Sequence, residues 1–224
     1  MEQKTILFDI NETVLNLAAL KPKFKAAFGD DSVMSVWFSM LLHSSTVCVV
    51  TGVKTDFAAL AGFMLESLAT RKGVTLSAQI RDDILAGFAN LSAHDDIKPA
   101  LRRLKDAGFR TVAFSNSSLS LVASQIKNAG LSEYFDEILS VESTGSFKPD
   151  PKAYEFAAEQ LKQPLPSLRL VATHDWDTHG ALSTGMKAAY IARTPAIYHP
   201  LYRQVDITAT TMGGIVTQII EQES

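Results

Sequence analysis

The sequence predicts an α/β fold: a doubly wound parallel sheet with a small helical domain inserted after the first strand. Three observations lead there. Short apolar runs of strand length alternate with helical periodicity through the second half of the chain. The strand-like runs are followed by clusters of polar residues. From about residue 15 to about residue 90 the alternation gives way to a purely helical pattern. The chain has 224 residues, 46% of them hydrophobic, enough for one core and an accessory unit. Its formal net charge is −3 and it has no basic run, which argues against a nucleic-acid partner. Nothing before Thr5 resembles a leader, and no unbroken apolar stretch reaches membrane-spanning length. A cytoplasmic protein without a membrane partner is the expectation. The single cysteine, Cys48, lies in Val47-Cys48-Val49-Val50 and reads as a small packed hydrophobe.

The first strand is Ile6-Leu7-Phe8, apolar throughout as a central parallel strand must be. It runs straight into Asp9 and the polar turn Asn11-Glu12-Thr13. In the insert, Phe24 and Phe28, then Val33, Val36, Trp37, Met40 and Leu41, recur at three- and four-residue steps. Phe57, Leu60, Ala61, Met64, Leu65 and Leu68 repeat the pattern, as do Ile80, Ile84, Phe88 and Leu91. Gly52, Gly73 and the turn from Gly29 to Ser32 separate these helices. A helix is then expected from Pro99 to Ala107, capped by Gly108, and a strand over Thr111–Phe114 ending in Ser115-Asn116. Next come a helix from Leu119 to Asn128, a strand over Ile138–Val141 and the loop Lys148-Pro149-Asp150. A helix over Tyr154–Leu161 precedes a strand over Leu168–Ala172, which ends in the polar stretch Thr173–Asp177. The remainder reads as a short helix over Gly180–Gly185, strands over Ala188–Ala192 and Ile207–Thr210, and a helix over Gly214–Glu221.

Strands of a parallel sheet end along one edge, so Asp9, Ser115-Asn116, Lys148 and Asp177 fall in corresponding places of four successive units. Each alone has a plain structural reading. Asp9 and Asp177 would be turn or helix caps, and Lys148 a solvated loop charge. Four such groups on one edge are harder to obtain by chance.

These residues resemble the haloacid dehalogenase superfamily. The carrying motifs are Asp9-Ile10-Asn11-Glu12-Thr13, strand-end Ser115, Lys148 in Phe147-Lys148-Pro149-Asp150, and the acidic cluster up to Asp177. Ser115-Asn116, Tyr154 after Lys-Pro-Asp, and Trp176-Asp177-Thr178-His179-Gly180-Ala181 are most similar to the (S)-2-haloacid dehalogenases. The resemblance implies a Rossmann-like core of residues 1–14 and 91–224, with a helical cap over residues 15–90. It implies hydrolysis of short 2-haloalkanoic acids to 2-hydroxy acids. Asp9 would attack the halogen-bearing carbon and form an ester that water then cleaves. Lys148 would keep Asp9 ionised, Asp177 would serve the hydrolytic water, and Thr13 and Ser115 would support the nucleophile. Asn11, Asn116, Tyr154 and His174 would meet the substrate, with Leu42, Phe57 and Trp176 as its apolar wall. A homodimer acting on a small haloacid, without a cofactor, is implied.

Departures from the family pattern sharpen the expectation. Phosphatases of the superfamily place a second Asp two residues after the nucleophile, where this chain has Asn11. An amide cannot protonate a leaving alkoxide, whereas halide needs no proton. Thr173 stands where those enzymes have an Asp ligand for Mg²⁺, although Asp175 is close enough in sequence to replace it. A Mg²⁺-dependent phosphatase is therefore the alternative, and a low-activity binding protein on the same fold the third reading. Among the dehalogenases, the Arg that faces the departing halide corresponds to Phe38 here, and an aromatic residue to Asn11. His174 replaces an Asn and Ala172 a Ser. His43 and His174 are the candidates for the missing donor.

Overall fold

The computed structural model describes residues 4–223, so the expected domain limits at residues 1 and 224 lie outside the described residues. Six strands form one sheet in the order β3-β2-β1-β4-β5-β6, every adjacent pair parallel. They are β1 (Thr5–Phe8), β2 (Arg110–Ser115), β3 (Glu137–Ser140), β4 (Leu168–Ala172), β5 (Lys187–Ile191) and β6 (Ile207–Ala209). The strand order reverses direction at β1, and that switch point opens a crevice at the C-terminal edge. Phe8 sits opposite both Ala113 and Val171, so Asp9 leaves the sheet at the centre of that edge. The Asp9 N–H is still held by the Val171 carbonyl at 3.0 Å.

Five helices belong to this layer: α5 (Ile97–Asp106), α6 (Leu119–Asn128), α7 (Pro151–Leu161), α8 (Asp175–Ser183) and α9 (Met212–Glu223). Four begin earlier than their sequence patterns suggest, α9 by two residues at Met212. α5 starts two residues before Pro99, because the first turn has no intrahelical partners for its N–H groups and tolerates proline. α7 starts at Pro151 behind Asp150, whose side chain accepts from the Lys152 N–H. α8 starts at Asp175 and not Gly180, so Asp175, Trp176 and Asp177 form its first turn, where negative charge meets the positive end of the helix.

Between β1 and α5 lie a 3-10 turn (Leu17–Leu20) and α1 (Lys21–Phe28), α2 (Val33–Thr51), α3 (Phe57–Lys72) and α4 (Ala78–Phe88). Gly29, Gly52 and Gly73 close the first three of these helices in the left-handed conformation. Trp37 is the hub. Its ring is fully buried against Phe24 of α1 and Phe88 of α4, and its indole N–H donates to the Ala61 carbonyl of α3 at 3.0 Å. One side chain thus ties four helices together. With 19 residues, α2 does reach membrane-spanning length, contrary to the reading from unbroken apolar runs. Its Trp37, Phe38 and Leu41 are buried within the protein, and so is Cys48. The two connections to the sheet run side by side: Leu15 bridges Ala93, and the His94 N–H donates to the Val14 carbonyl. A further contact comes from Lys54 after α2, which reaches the Gly145 carbonyl at 2.8 Å.

Candidate active site

Asp9 is buried at the centre of the sheet edge and gripped on both oxygens. Lys148 Nζ donates to Oδ1 at 2.9 Å. The Thr13 hydroxyl donates to Oδ2 at 2.7 Å, and His174 Nδ1 lies 3.2 Å from the same oxygen. Burial alone would disfavour the Asp9 charge. The Lys148 cation, His174 and the Thr13 hydrogen bond outweigh it and hold the carboxyl well below its ordinary range.

Lys148 comes from the loop before α7, where the Asn116 side chain accepts from the Lys148 backbone N–H at 2.8 Å. The peptide between Lys148 and Pro149 is cis. Its ammonium sits over the Phe114 ring, donates to the Phe114 carbonyl and reaches Asp177 Oδ2 at 2.6 Å. Burial opposes the ammonium charge, yet two carboxylates keep its pKa above the usual value. Asp177 is fully buried, and its pKa is raised by burial and by Asp9 despite Lys148. Its other oxygen accepts from the Tyr154 hydroxyl at 2.7 Å. The close approach of Tyr154 requires Gly180. A Cβ there would run into the tyrosine hydroxyl and lie 2.8 Å from Pro149 Cβ.

His174 bridges the nucleophile to the turn after β1. Its Nε2 lies 2.9 Å from Glu12 Oε2. Both ring nitrogens therefore lie within hydrogen-bond reach of carboxylate oxygens. Burial works against a charged ring, but the hydrogen bonds and charges of Asp9 and Glu12 raise its pKa to about 10. The ring stacks on Trp176, with centroids 5.1 Å apart, and meets Phe38 at 6.3 Å. Behind the turn, Arg193 donates to the Thr13 carbonyl and pairs through one terminal nitrogen with both oxygens of Asp96. Thr13 in turn accepts from the Thr173 N–H at 2.9 Å.

The structure thus brings Asp9, Thr13, Lys148, Asp177 and His174 into direct contact, with Tyr154 behind them. The hydroxyl of Tyr154 is committed to Asp177 and is buried rather than turned toward a substrate. Asn11 is likewise engaged, donating to Ser117 at 3.4 Å and accepting from Gln125 at 3.1 Å. Ser115 is buried and accepts from the Ser117 N–H at 3.1 Å. Leu42, Phe57 and Trp176 do not share one wall. Trp176 lines a cleft of about 210 Å³ with Glu12 and His174, whereas Phe57 packs on Phe147 and lines a small cleft with Asn116. Leu42 lines neither of those clefts and packs half-buried against the core. His43 is exposed on α2. Gln125, Asp96 and Arg193 carry no motif signal, and Glu12 stands inside the Asp9–Thr13 motif without a role assigned to it. Glu12 alone is conspicuous, with a φ of 64° that a side chain rarely adopts.

The donor set does not favour a cation. Asp175 accepts from the His199 backbone N–H and stands outside the Asp9–Lys148–Asp177 cluster. Among the described residues, no group of three or more His, Cys, Asp or Glu is arranged to hold a metal ion.

An (S)-2-haloacid dehalogenase of Pseudomonas sp. (strain YL) is 24% identical over 215 residues, covering 95% of this chain and 93% of the relative. The L-2-haloacid dehalogenase of Xanthobacter autotrophicus superposes over the whole of both chains with a TM-score of 0.90 at 20% identity. A second structure of that enzyme, with chloropropionic acid covalently bound, gives the same TM-score at 19% identity. The family model for haloacid dehalogenase-like hydrolases matches residues 3–168, and the chain belongs to that family.

Proposed function

We propose that the protein hydrolyses short 2-haloalkanoic acids to 2-hydroxy acids through an ester on Asp9. The observation that carries this reading is the ionised Asp9 carboxylate held by Lys148, with a second buried carboxylate, Asp177, on the same ammonium. Asp9 attacks the carbon bearing the halogen, and the halide leaves with the bonding electron pair. The ester removes the Asp9 charge. Asp177, whose basicity burial has raised, then accepts a proton from the water that attacks the ester carbonyl. That relatives and a structural neighbour are named for this activity supports the assignment.

The reaction needs no metal in this reading. Lys148 supplies the positive charge beside Asp9. The neutral Asn11 amide, bonded to Gln125 and Ser117, offers no proton to a leaving alkoxide. We further propose a cytoplasmic homodimer, for which the exposed apolar residues Val47, Val50 and Phe63 of α2 and α3 offer a face. The test is a panel of 2-haloacids beside a panel of phosphate esters, each assayed with EDTA and with Mg²⁺. Halide release unaffected by EDTA is expected. Phosphate release restored only by Mg²⁺ would overturn the assignment.

A further inference from the structure

Gln125 of α6 is fully buried, and the reaction described above makes no use of it. A glutamine is rarely placed so deep, because an amide out of water costs free energy unless its polar atoms find partners. Its Nε2 donates to the Phe88 carbonyl at 2.9 Å and to Asn11 Oδ1 at 3.1 Å, whereas Oε1 meets no donor among the described residues. The Phe88 carbonyl can only accept, which fixes the Gln125 amide. The Gln125 N–H in turn fixes the Asn11 amide with its oxygen toward Gln125. Asn11 Nδ2 is left to donate to the Ser117 hydroxyl at 3.4 Å, and the Ser117 N–H donates to Ser115 Oγ at 3.1 Å.

Phe88 is the last residue of α4, and its carbonyl is one of the four that a helix end leaves without an intrahelical partner. Seating that end does not by itself need a buried glutamine. Asn128, three residues further along the same face of α6, holds the Ala89 carbonyl at 3.0 Å and Asn90 Oδ1 at 2.9 Å from an exposed position. What Gln125 adds is a second acceptor, Asn11, in the turn that carries Thr13. One amide thus joins the last helix of the insert to the turn after β1 and, through Ser117, to the end of β2. Resting on the dehalogenase reading, we propose that Gln125 is a positioning residue: by holding Asn11, it makes the placing of Asp9 depend on the helical insert being seated on the core.

The path from Gln125 to the nucleophile is short. The Val14 and Leu15 N–H groups both donate to the Ile10 carbonyl, at 2.9 and 2.8 Å, so the turn behaves as one unit. A shift of Asn11 therefore carries Thr13 with it, and the Thr13 hydroxyl holds Asp9 Oδ2 at 2.7 Å. The stranded Oε1 fits this role. A methionine of similar length would fill the same space without burying an unpartnered acceptor, but it would release both Asn11 and Phe88.

The test compares the unmodified protein with Gln125→Met, Asn11→Leu, the double variant and Asn128→Ala. It follows halide in the first turnover and the steady-state constants on 2-chloropropanoate, and hydrogen–deuterium exchange over residues 9–16. Gln125→Met should slow halide release about tenfold, short of the ~10²-fold that a misplacement of about 1 Å can cost, with kcat and kcat/KM falling together. Exchange in the turn should quicken in the same variant. Because Gln125 acts through Asn11, the double variant should be no slower than Asn11→Leu alone. Asn128→Ala loosens the same end of α4 without touching Asn11, so it should leave both turnover and turn exchange unchanged. Should Gln125→Met not fold, Asn11→Leu reads the same tie from its other end and should show the same slowing and the same faster exchange. Losses that multiply in the double variant, or an unchanged turn in Gln125→Met, would make Gln125 a seat for α4 alone and overturn the proposal while leaving the dehalogenase reading standing. No halide from the unmodified protein would overturn that reading, and the exchange comparison would still decide whether Gln125 holds the turn.

Discussion

Asp9 is held from two sides, and the sides are built differently. On one side, Lys148, Asp177 and Tyr154 form a chain of fully buried groups in which each polar atom has a protein partner. On the other, His174 leads outward through Glu12 to a cleft of about 210 Å³. The buried side cannot lose a member without stranding a charge, so it joins chemistry to stability. The open side can lose its outer member to solvent, so it tunes chemistry with little effect on the fold. Thr13, braced by Arg193 through its carbonyl, stands between them.

This contrast is broken most severely at Lys148. Lys148→Met leaves two neighbouring carboxylates without their shared cation. Unfolding in urea should show a loss of about 3–5 kcal/mol, and halide release should fall at least about 10³-fold. A stable Lys148→Met protein with near-normal turnover would remove the basis for the comparison. A smaller effect is expected at Tyr154. Tyr154→Phe strips one hydrogen bond from buried Asp177, costing about 1–3 kcal/mol and slowing ester hydrolysis about tenfold. Halide release in the first turnover should change less, because Tyr154 does not touch Asp9. The smallest change in stability belongs to Glu12→Gln, within about 0.5 kcal/mol by the same urea titration.

Much of the fold was legible because it rests on periodicity. The strand runs at Ile6–Phe8 and Leu168–Ala172 are continuous and apolar, and glycines mark helix ends at Gly52 and Gly73. Two of the misplaced boundaries fall at a proline and a glycine taken as helix starts. Pro99 sits in a first turn where its missing N–H costs little, and Gly180 sits within α8 because Tyr154 needs the space. Within the site, resemblance supplied residue identities and left directions open. Sequence places Tyr154 and Asn11 near Asp9, yet only coordinates reveal that one hydroxyl turns to Asp177 and one amide to Gln125. Glu12 was invisible for a different reason. Its left-handed backbone carries no signature in an ordinary residue. The insert showed its helices clearly, but not that Phe57 and Trp176 would stand in separate clefts.

The central claim is that Asp9 is the covalent nucleophile, and single turnover in ¹⁸O-labelled water tests it most directly. Enzyme in molar excess over 2-chloropropanoate should be quenched and digested, and the peptide carrying Asp9 weighed beside the 2-hydroxy acid. Water attacking the ester carbonyl puts the label into the Asp9 carboxylate and leaves the first product unlabelled. Label in the 2-hydroxy acid, with none at Asp9, would mean that water attacks the substrate carbon itself and would contradict the account.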